Sequence, residues 1–204
     1  MKLYHFPSPN PQKIHFALLE LGLQCEIVPI DLMKGEQRTA EFLALNPNGR
    51  VPVLIDGDLT LWESHAILFY LGGKAGMMWP TSQAGAADAL RWLFFLSGHI
   101  APPVADLVRN GLVAPLIGAK PDEDARARAT QTLPGVIKIL EGRLADSKWL
   151  VGEDFTLVDC AYGPILNVTE KAGFSFEAFP KVNSYLHAIR SRPAWRQMLK
   201  LPGL

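Results

Sequence analysis

Apolar residues follow two different patterns in the two parts of this chain. Up to about residue 77, short apolar runs typical of buried strands alternate with segments in which apolar residues recur at helical spacing. The predicted elements are a strand over Lys2 to Phe6, a helix over Pro11 to Leu21, a strand over Glu26 to Ile30, a short helix over Thr39 to Leu45, a hairpin with strands over Val53 to Ile55 and Leu59 to Leu61, and a helix from Ser64 to Leu71 that Gly72 and Gly73 end. The order βαβαββα predicts a small mixed sheet covered by helices.

The second part of the chain, from Ala86 onward, shows no alternating pattern and is predicted to be all helical. Residues 78–85 are predicted to form a linker. The predicted helices cover Ala86 to Leu96, Asp122 to Leu144, a segment from Thr156 to about Lys171, and Phe179 to Ser191. Thr156 and Asp159 have the spacing of a capping box, and Pro134 is expected to kink the long second helix. The fold class is therefore α/β plus all-α.

Composition excludes several classes of function. Basic and acidic residues number 20 each, so the formal net charge is zero, whereas nucleic-acid binding proteins usually carry a basic excess. No apolar run approaches the ~20 residues of a membrane span, and Pro7 interrupts the start too early for a signal peptide. Cys25 and Cys160 are expected to be reduced, and no histidine has ligand spacing, so no metal is expected. We expect a cytoplasmic protein that binds neither nucleic acid nor membrane.

A proline at a strand start and an acid at a helix start are the most informative motifs. Pro52 cannot donate to a sheet ladder, so it belongs at a strand start or an edge, and it holds Val51 extended. If the Val51–Pro52 bond is cis, the N–H and C=O of Val51 can turn outward and pair with an extended ligand. Glu63 and Ser64 open the next helix, whose N-terminus favours an anion. Together the motifs predict a site for a small peptide.

These stretches resemble the cytosolic glutathione transferases, and the serine-type branches fit best: phi, theta and related bacterial forms. The resemblance spans nearly the whole chain and is carried by residues 35–38, 41–43, 46–54, 56–67 and 152–159. It implies a thioredoxin-like glutathione-binding domain over 1–77 and an all-helical domain over 86–204 that contributes the electrophile pocket. It also implies a homodimer, with glutathione as a co-substrate rather than a tightly bound cofactor, and an apolar electrophilic small molecule as the second substrate.

The resemblance also implies roles for single residues. Val51 would pair through its backbone with the cysteinyl part of glutathione, beside the cis proline Pro52. Glu63 and Ser64 would hold the γ-glutamyl end. The remaining contacts to the tripeptide, often to its glycine carboxylate, would come from Gln37, Arg38 and Arg50. The phi branch commonly has histidine in place of Gln37 and glutamine in place of Arg50.

The chemistry needs a donor that favours the glutathione thiolate, because a free thiol titrates near ~8.5 and the thiolate is the nucleophile. Ser8 stands between the first strand and the first helix, where serine-type transferases have their catalytic serine; otherwise it caps the helix. Asn10 is the second candidate, since some bacterial relatives use a Thr-x-Asn arrangement; otherwise it is a cap ahead of Pro11. Tyr4 lies inside the strand and is expected in the core.

Three functions remain open at this point. The first is a glutathione transferase in which the thiolate attacks an electrophilic carbon. The second is a glutathione-dependent peroxide or disulfide reductase on the same scaffold, which is favoured if Asn10 governs the thiolate. The third is a non-catalytic protein that binds glutathione or a partner, because a fold does not determine function.

Overall fold

A computed structural model describes residues 1–201 of the chain. Its contacts divide it into two units, and the first contains residues 1–79 and the segment from Arg192 on. The first unit has a mixed sheet in the order β2-β1-β3-β4. The strands are β1 (Lys2–His5), β2 (Glu26–Pro29), β3 (Val53–Asp56) and β4 (Leu59–Trp62). β1 pairs in parallel with β2 and antiparallel with β3, which forms a hairpin with β4. The predicted mixed sheet is confirmed.

The helices of the first unit differ from the prediction at their ends. They are α1 (Pro9–Glu20), α2 (Ala40–Leu45) and α3 (Ser64–Ala75), and a 3-10 turn covers Glu36–Arg38. The prediction that α1 starts at Pro11 was wrong by two residues, because Ser8 takes the extended N-cap conformation and Pro9 suits the first helical position. The prediction that Gly72 and Gly73 stop α3 was also wrong. The helix continues to Gly76, whose φ of 65° is left-handed and ends it.

The second unit, residues 80–191, is all helical within the described chain, as predicted. Its helices are α4 (Gln83–Phe95), α5 (Ala101–Val108), α6 (Ala114–Leu116), α7 (Glu123–Arg143), α8 (Leu157–Lys171) and α9 (Pro180–Arg190), with π-type turns over Leu96–Ile100 and Arg109–Val113. Helix α4 begins inside the predicted linker because the Ser82 side chain accepts the N–H of Gly85. The sequence did not predict α5 and α6. Helix α7 is continuous through Pro134, and the expected kink there stays a prediction.

The last described helix, α10 (Pro193–Met198), belongs to the first unit. Arg192 donates from Nε and Nη2 to the Glu20 carboxylate at 2.6 and 2.7 Å. Trp195 packs edge-on against Phe16, with 5.4 Å between the ring centroids. The sequence assigned this segment to the domain over 86–204, of which residues 202–204 lie outside the described part. The proposed boundaries at 77 and 86 stay a prediction.

A buried carboxylate anchors the second unit. Asp159 is fully buried, and its oxygens accept hydrogen bonds from the Thr156 N–H at 2.7 Å, the Thr156 hydroxyl at 3.0 Å, the Leu150 N–H at 3.1 Å and the Tyr185 hydroxyl at 2.8 Å. The Thr156–Asp159 pair is the capping box that the sequence predicted. One side chain therefore ties the start of α8 to the preceding loop and to α9.

We expect Asp159→Ala to lower the free energy of unfolding by about 3 kcal/mol or more, because several buried donors lose their acceptor at about 1–3 kcal/mol each. Asp124→Ala is the matched control, since Asp124 is an exposed acid in the first turn of α7. Asp124→Ala should lower the free energy of unfolding by only about 0.5 kcal/mol, as for an ordinary surface substitution. Urea unfolding followed by circular dichroism measures both, and equal losses would contradict this role of Asp159.

Within residues 1–201 no helix combines the length and the apolar character that crossing a membrane requires. Neither Cys25 nor Cys160 forms a disulfide there, as the sequence predicted.

Candidate functional site

Strand pairing brings the candidate residues to one edge of the sheet. Tyr4 lies opposite Val53 in the β1–β3 pair, and Val53 lies opposite Trp62 in the β3–β4 pair. Because antiparallel strands run in opposite directions, β1 and β4 end where β3 begins. The same edge receives the end of β2, which runs parallel to β1. The segments that leave or enter the sheet there carry Ser8, Asn10, Gln37, Arg38, Arg50, Val51, Pro52, Glu63 and Ser64.

The Ser8 hydroxyl is available for a ligand. Ser8 is the N-cap of α1, with φ −120° and ψ 161°, but its side chain makes no capping hydrogen bond. It is half-buried, and its Oγ has no hydrogen-bond partner anywhere in residues 1–201. The alternative that Ser8 only caps its own helix through the hydroxyl is therefore wrong.

Asn10 lies inside α1, so the alternative that it caps the helix ahead of Pro11 is also wrong. Its Oδ1 accepts a hydrogen bond of 2.8 Å from the Nζ of Lys13, one helical turn later. An ammonium group has donors only, so this contact identifies which side of the amide carries the oxygen. The N–H2 group of Asn10 consequently faces away from Lys13. Because Asn10 is an exposed residue, this group can still donate hydrogen bonds to a ligand.

The Val51–Pro52 peptide bond is cis, as the resemblance implied. Neither the N–H nor the C=O of Val51 makes a hydrogen bond within the described chain. The loop before it is held by buried Asn46, whose Nδ2 donates to the C=O of Arg50 at 2.7 Å and whose Oδ1 accepts from the Asn48 N–H at 3.0 Å. Val51 thus presents an unpaired donor and acceptor that fit the backbone of an extended peptide.

The start of α3 supplies a second polar surface. Glu63 is exposed and has a left-handed φ of 73°, which is uncommon for a residue with a side chain, and its C=O accepts the first helical bond from Ile67 at 3.0 Å. Ser64 is the first residue of the helix and is 8% exposed. Its hydroxyl has no partner among residues 1–201. A helix N-terminus with an unpaired hydroxyl suits a carboxylate.

The third group lies around Gly49. Its φ is 59°, and a Cβ there would stand 3.0 Å from the C=O oxygen of Gln37 and 3.1 Å from Nη1 of Arg38. This close approach packs the Gln37–Arg38 turn against the loop that carries Arg50. Arg38 and Arg50 are both exposed, whereas Oε1 of Gln37 is buried without a hydrogen-bond partner in the described chain. The structure therefore brings these three residues together.

The sequence analysis missed Lys13. Its side chain is 2% exposed, and its Nζ lies 3.4 Å from Nε2 of His65, in addition to the contact with Asn10. Burial lowers the pKa of Lys13 to about 7, although the charge of Glu63 partly offsets this. Burial and the Lys13 charge lower the pKa of His65 to about 3. A signal was present, because Lys13 occupies the helical spacing of the apolar residues Ala17 and Leu21.

Two other histidines lie close to this edge. His5 ends β1, and its pKa is lowered to about 4 by burial and by His15. Burial also lowers the pKa of His15, and the two rings meet edge-on with 6.0 Å between their centroids. Both are therefore neutral at pH 7 and add no charge to the site. Tyr4 packs against Phe42 in the core, as the sequence predicted.

Comparison with known proteins gives a consistent result. Family models for the N-terminal and the C-terminal domain of glutathione S-transferases match residues 1–73 and 86–193. Glutathione S-transferase 3 of Zea mays is 38% identical over an alignment of 205 positions, which covers 97% of this chain and 92% of that protein. The disulfide-bond oxidoreductase YfcG of Escherichia coli is 32% identical over an alignment of 215 positions, which covers 97% of this chain and 93% of that protein. The crystal structure of glutathione transferase F7 from Populus trichocarpa superposes with a TM-score of 0.90 at 32% identity, covering 98% of this chain and 97% of that one.

We expect Gly49→Ala to destabilise the first unit more than Gly57→Ala. Both glycines have left-handed φ values, of 59° and 60°, so each substitution should cost about 1–2 kcal/mol of backbone strain. Only at Gly49 would the new Cβ also push against Gln37 and Arg38, whereas nothing lies within 4 Å of it at Gly57. Urea unfolding of both variants tests this, and equal losses would show that the close approach is unimportant.

Proposed function

The chain belongs to the glutathione S-transferase family, and we propose that it activates the thiol of glutathione for attack on an electrophilic small molecule through the residues at this sheet edge. Glutathione transferase activity follows from the family and from the relatives that match over nearly the whole chain. The residue roles rest on one observation above the others. The unpaired main-chain groups of Val51 stand between two unpaired hydroxyls, of Ser8 and Ser64.

These groups match the parts of the tripeptide in order. Val51 pairs with the cysteinyl N–H and C=O as one more strand would. Ser64 and the N-terminus of α3 take the γ-glutamyl carboxylate, and the Glu63 carboxylate takes the γ-glutamyl ammonium. Arg50 or Arg38 takes the glycine carboxylate, since guanidinium groups pair well with carboxylates.

The sulfur then lies near the start of α1. Lowering the thiol pKa by two units needs ~2.7 kcal/mol, at ~1.36 kcal/mol per unit. A hydrogen bond to a charged group contributes about 1.5–3 kcal/mol, so one well-placed donor supplies most of this. The Ser8 hydroxyl is that donor in our proposal, because it has no other partner in the described chain.

A second candidate function is a glutathione-dependent disulfide or peroxide reductase. The observation that favours it is the orientation of Asn10, whose Oδ1 is held by Lys13 so that its N–H2 group remains a donor. Ser8-Pro9-Asn10 also resembles the Thr-x-Asn arrangement of some bacterial relatives, and one similar protein is named a disulfide-bond oxidoreductase. The two functions share the glutathione site and differ in which electrophile the thiolate attacks.

The assembly and the second substrate are further parts of the proposal. Exposed apolar side chains of the first unit favour a homodimer, since exposed apolar patches on a protein often mark a surface that binds a partner. They include Leu59, Trp62, Phe69 and Met77. We also propose an apolar electrophile and a cytoplasmic location. A protein that binds glutathione but turns over neither electrophiles nor peroxides would instead be a non-catalytic binding protein.

We expect Ser8→Ala to raise the pKa of the bound glutathione thiol by about one unit or more, because the sulfur loses a donor worth about 1.5–3 kcal/mol. The thiolate absorbance of the complex, titrated with pH, measures this for wild type, Ser8→Ala and Asn10→Ala. A larger rise in Asn10→Ala would transfer the role to Asn10 and favour the reductase. A wild-type complex with an ordinary thiol pKa would contradict the proposed function.

Ser64→Ala should act on binding instead of on ionisation. We expect the Kd for glutathione to rise about tenfold, which corresponds to ~1.4 kcal/mol, since one hydrogen bond to the γ-glutamyl carboxylate is lost. Ser97→Ala is the control, because Ser97 is exposed on the helical unit and bonds only the C=O groups of Leu93 and Phe94. Isothermal titration calorimetry gives the values, and an unchanged Kd in Ser64→Ala would rule out its role.

A further inference from the structure

Lys13 is a charged group in an unusual place. Its ammonium is almost completely removed from water, although lysine is among the residues least often buried. It sits on α1, which packs against α3. In the proposed glutathione site, α1 begins near the sulfur and α3 begins at the γ-glutamyl end. A buried ammonium without a close carboxylate costs stability, so its location calls for an explanation.

Three groups interact with the Lys13 ammonium. Asn10 on α1 accepts a hydrogen bond at 2.8 Å, and Nε2 of His65 on α3 lies at 3.4 Å. Glu63, just before α3, adds a negative charge whose effect favours the charged lysine. Since the ammonium only donates, Nε2 of His65 is the acceptor in this contact and the ring proton is on Nδ1. The ammonium is therefore anchored to α3 on one side and holds the amide of Asn10 on the other.

We propose that Lys13 is a positioning residue of the glutathione site, which holds Oδ1 of Asn10 so that the N–H2 group of Asn10 points at the sulfur. This inference rests on the proposed function, because it assumes that the sulfur of glutathione lies near the start of α1, and it adds Asn10 as a second donor to the sulfur beside Ser8. An exposed asparagine amide can rotate by half a turn and present either its oxygen or its nitrogen. The Lys13 contact removes this freedom, since an oxygen directed at the thiolate would leave N–H2 facing an ammonium.

The positioning depends on the charge of Lys13. Burial brings the pKa of Lys13 to about 7, so the ammonium loses its proton near neutrality in the absence of ligand. A neutral amine can accept as well as donate and no longer dictates the orientation of the amide. A bound thiolate adds negative charge on this side of α1 and favours the protonated lysine, so glutathione ionisation and Lys13 protonation should support each other.

The test uses Lys13→Met, which keeps the apolar stem and removes the ammonium, in the full-length protein. We expect the pKa of the bound glutathione thiol to rise by about one unit. At a pH well below both thiol pKa values, kcat with chlorodinitrobenzene should fall about tenfold, equivalent to ~1.4 kcal/mol. The Kd for S-methylglutathione, which has no ionisable thiol, should change less than about twofold. Lys74→Met is the matched control, because Lys74 is on α3 of the same unit but pairs with Asp56 at 2.7 Å, at the protein surface.

A double-mutant cycle with Asn10→Ala separates positioning from a general structural effect. If Lys13 acts through Asn10, Lys13→Met should leave the thiol pKa of the Asn10→Ala protein nearly unchanged, because residues in contact are not additive. An equal rise in both backgrounds would overturn the inference. A thiol pKa in Lys13→Met equal to that of wild type would also overturn it, and would leave the proposed function intact provided that the wild-type value is lowered.

If Lys13→Met does not fold, the wild-type protein still decides the matter. The side-chain N–H2 signals of Asn10 in nuclear magnetic resonance should shift together with the Nζ signal of Lys13 as the pH is raised. Signals of Asn10 that stay constant through the Lys13 titration would overturn the inference. The same titration includes His65 and Glu63, whose own signals identify any shift that originates from them.

Discussion

The antiparallel pairing of β3 with both of its neighbours is the constraint on which the site depends. It places the end of β1, the start of β3 and the end of β4 at one edge, although β1 precedes the β3–β4 hairpin by more than forty residues along the chain. Each segment then contributes one kind of polar group: a hydroxyl, a main-chain donor and acceptor, and a helix start. A shift of β3 by one residue would turn its buried side chains outward and would separate Val51 from Ser8 and Ser64.

The sequence predicted those parts of the fold that rest on short-range patterns. The four strands, the capping box at Thr156 and the acidic helix start at Glu63 all have local signals. The helix ends were less accurate. Gly72 and Gly73 were expected to stop α3, but a helix tolerates glycine at about 1 kcal/mol, and the stop needs a left-handed residue such as Gly76. The two short helices of residues 101–116 lack an apolar stripe long enough to predict them.

Several features of the site depend on tertiary contacts and could not be predicted from the sequence. From the sequence, the hydroxyl of Ser8 could either donate to glutathione or cap its own helix, and only the structure shows that it makes no capping hydrogen bond. The orientation of Asn10 depends on Lys13 and, through it, on His65, which is 52 residues away from Lys13 in the chain. The approach of Gly49 to Gln37 and Arg38 likewise joins two loops whose contact no local pattern encodes.

The two prolines at the start of α1 reduce the number of main-chain N–H groups that can bind an anion there. An ordinary helix start exposes several main-chain N–H groups that can face an anion, but Pro9 and Pro11 have none. The N–H of Gln12 is already used by the Ser8 carbonyl at 3.2 Å. Of the first four helical residues, only Asn10 therefore offers its backbone proton. An anion at this end of α1 therefore finds few main-chain N–H donors, and it must be stabilised mainly by the side chains that surround it.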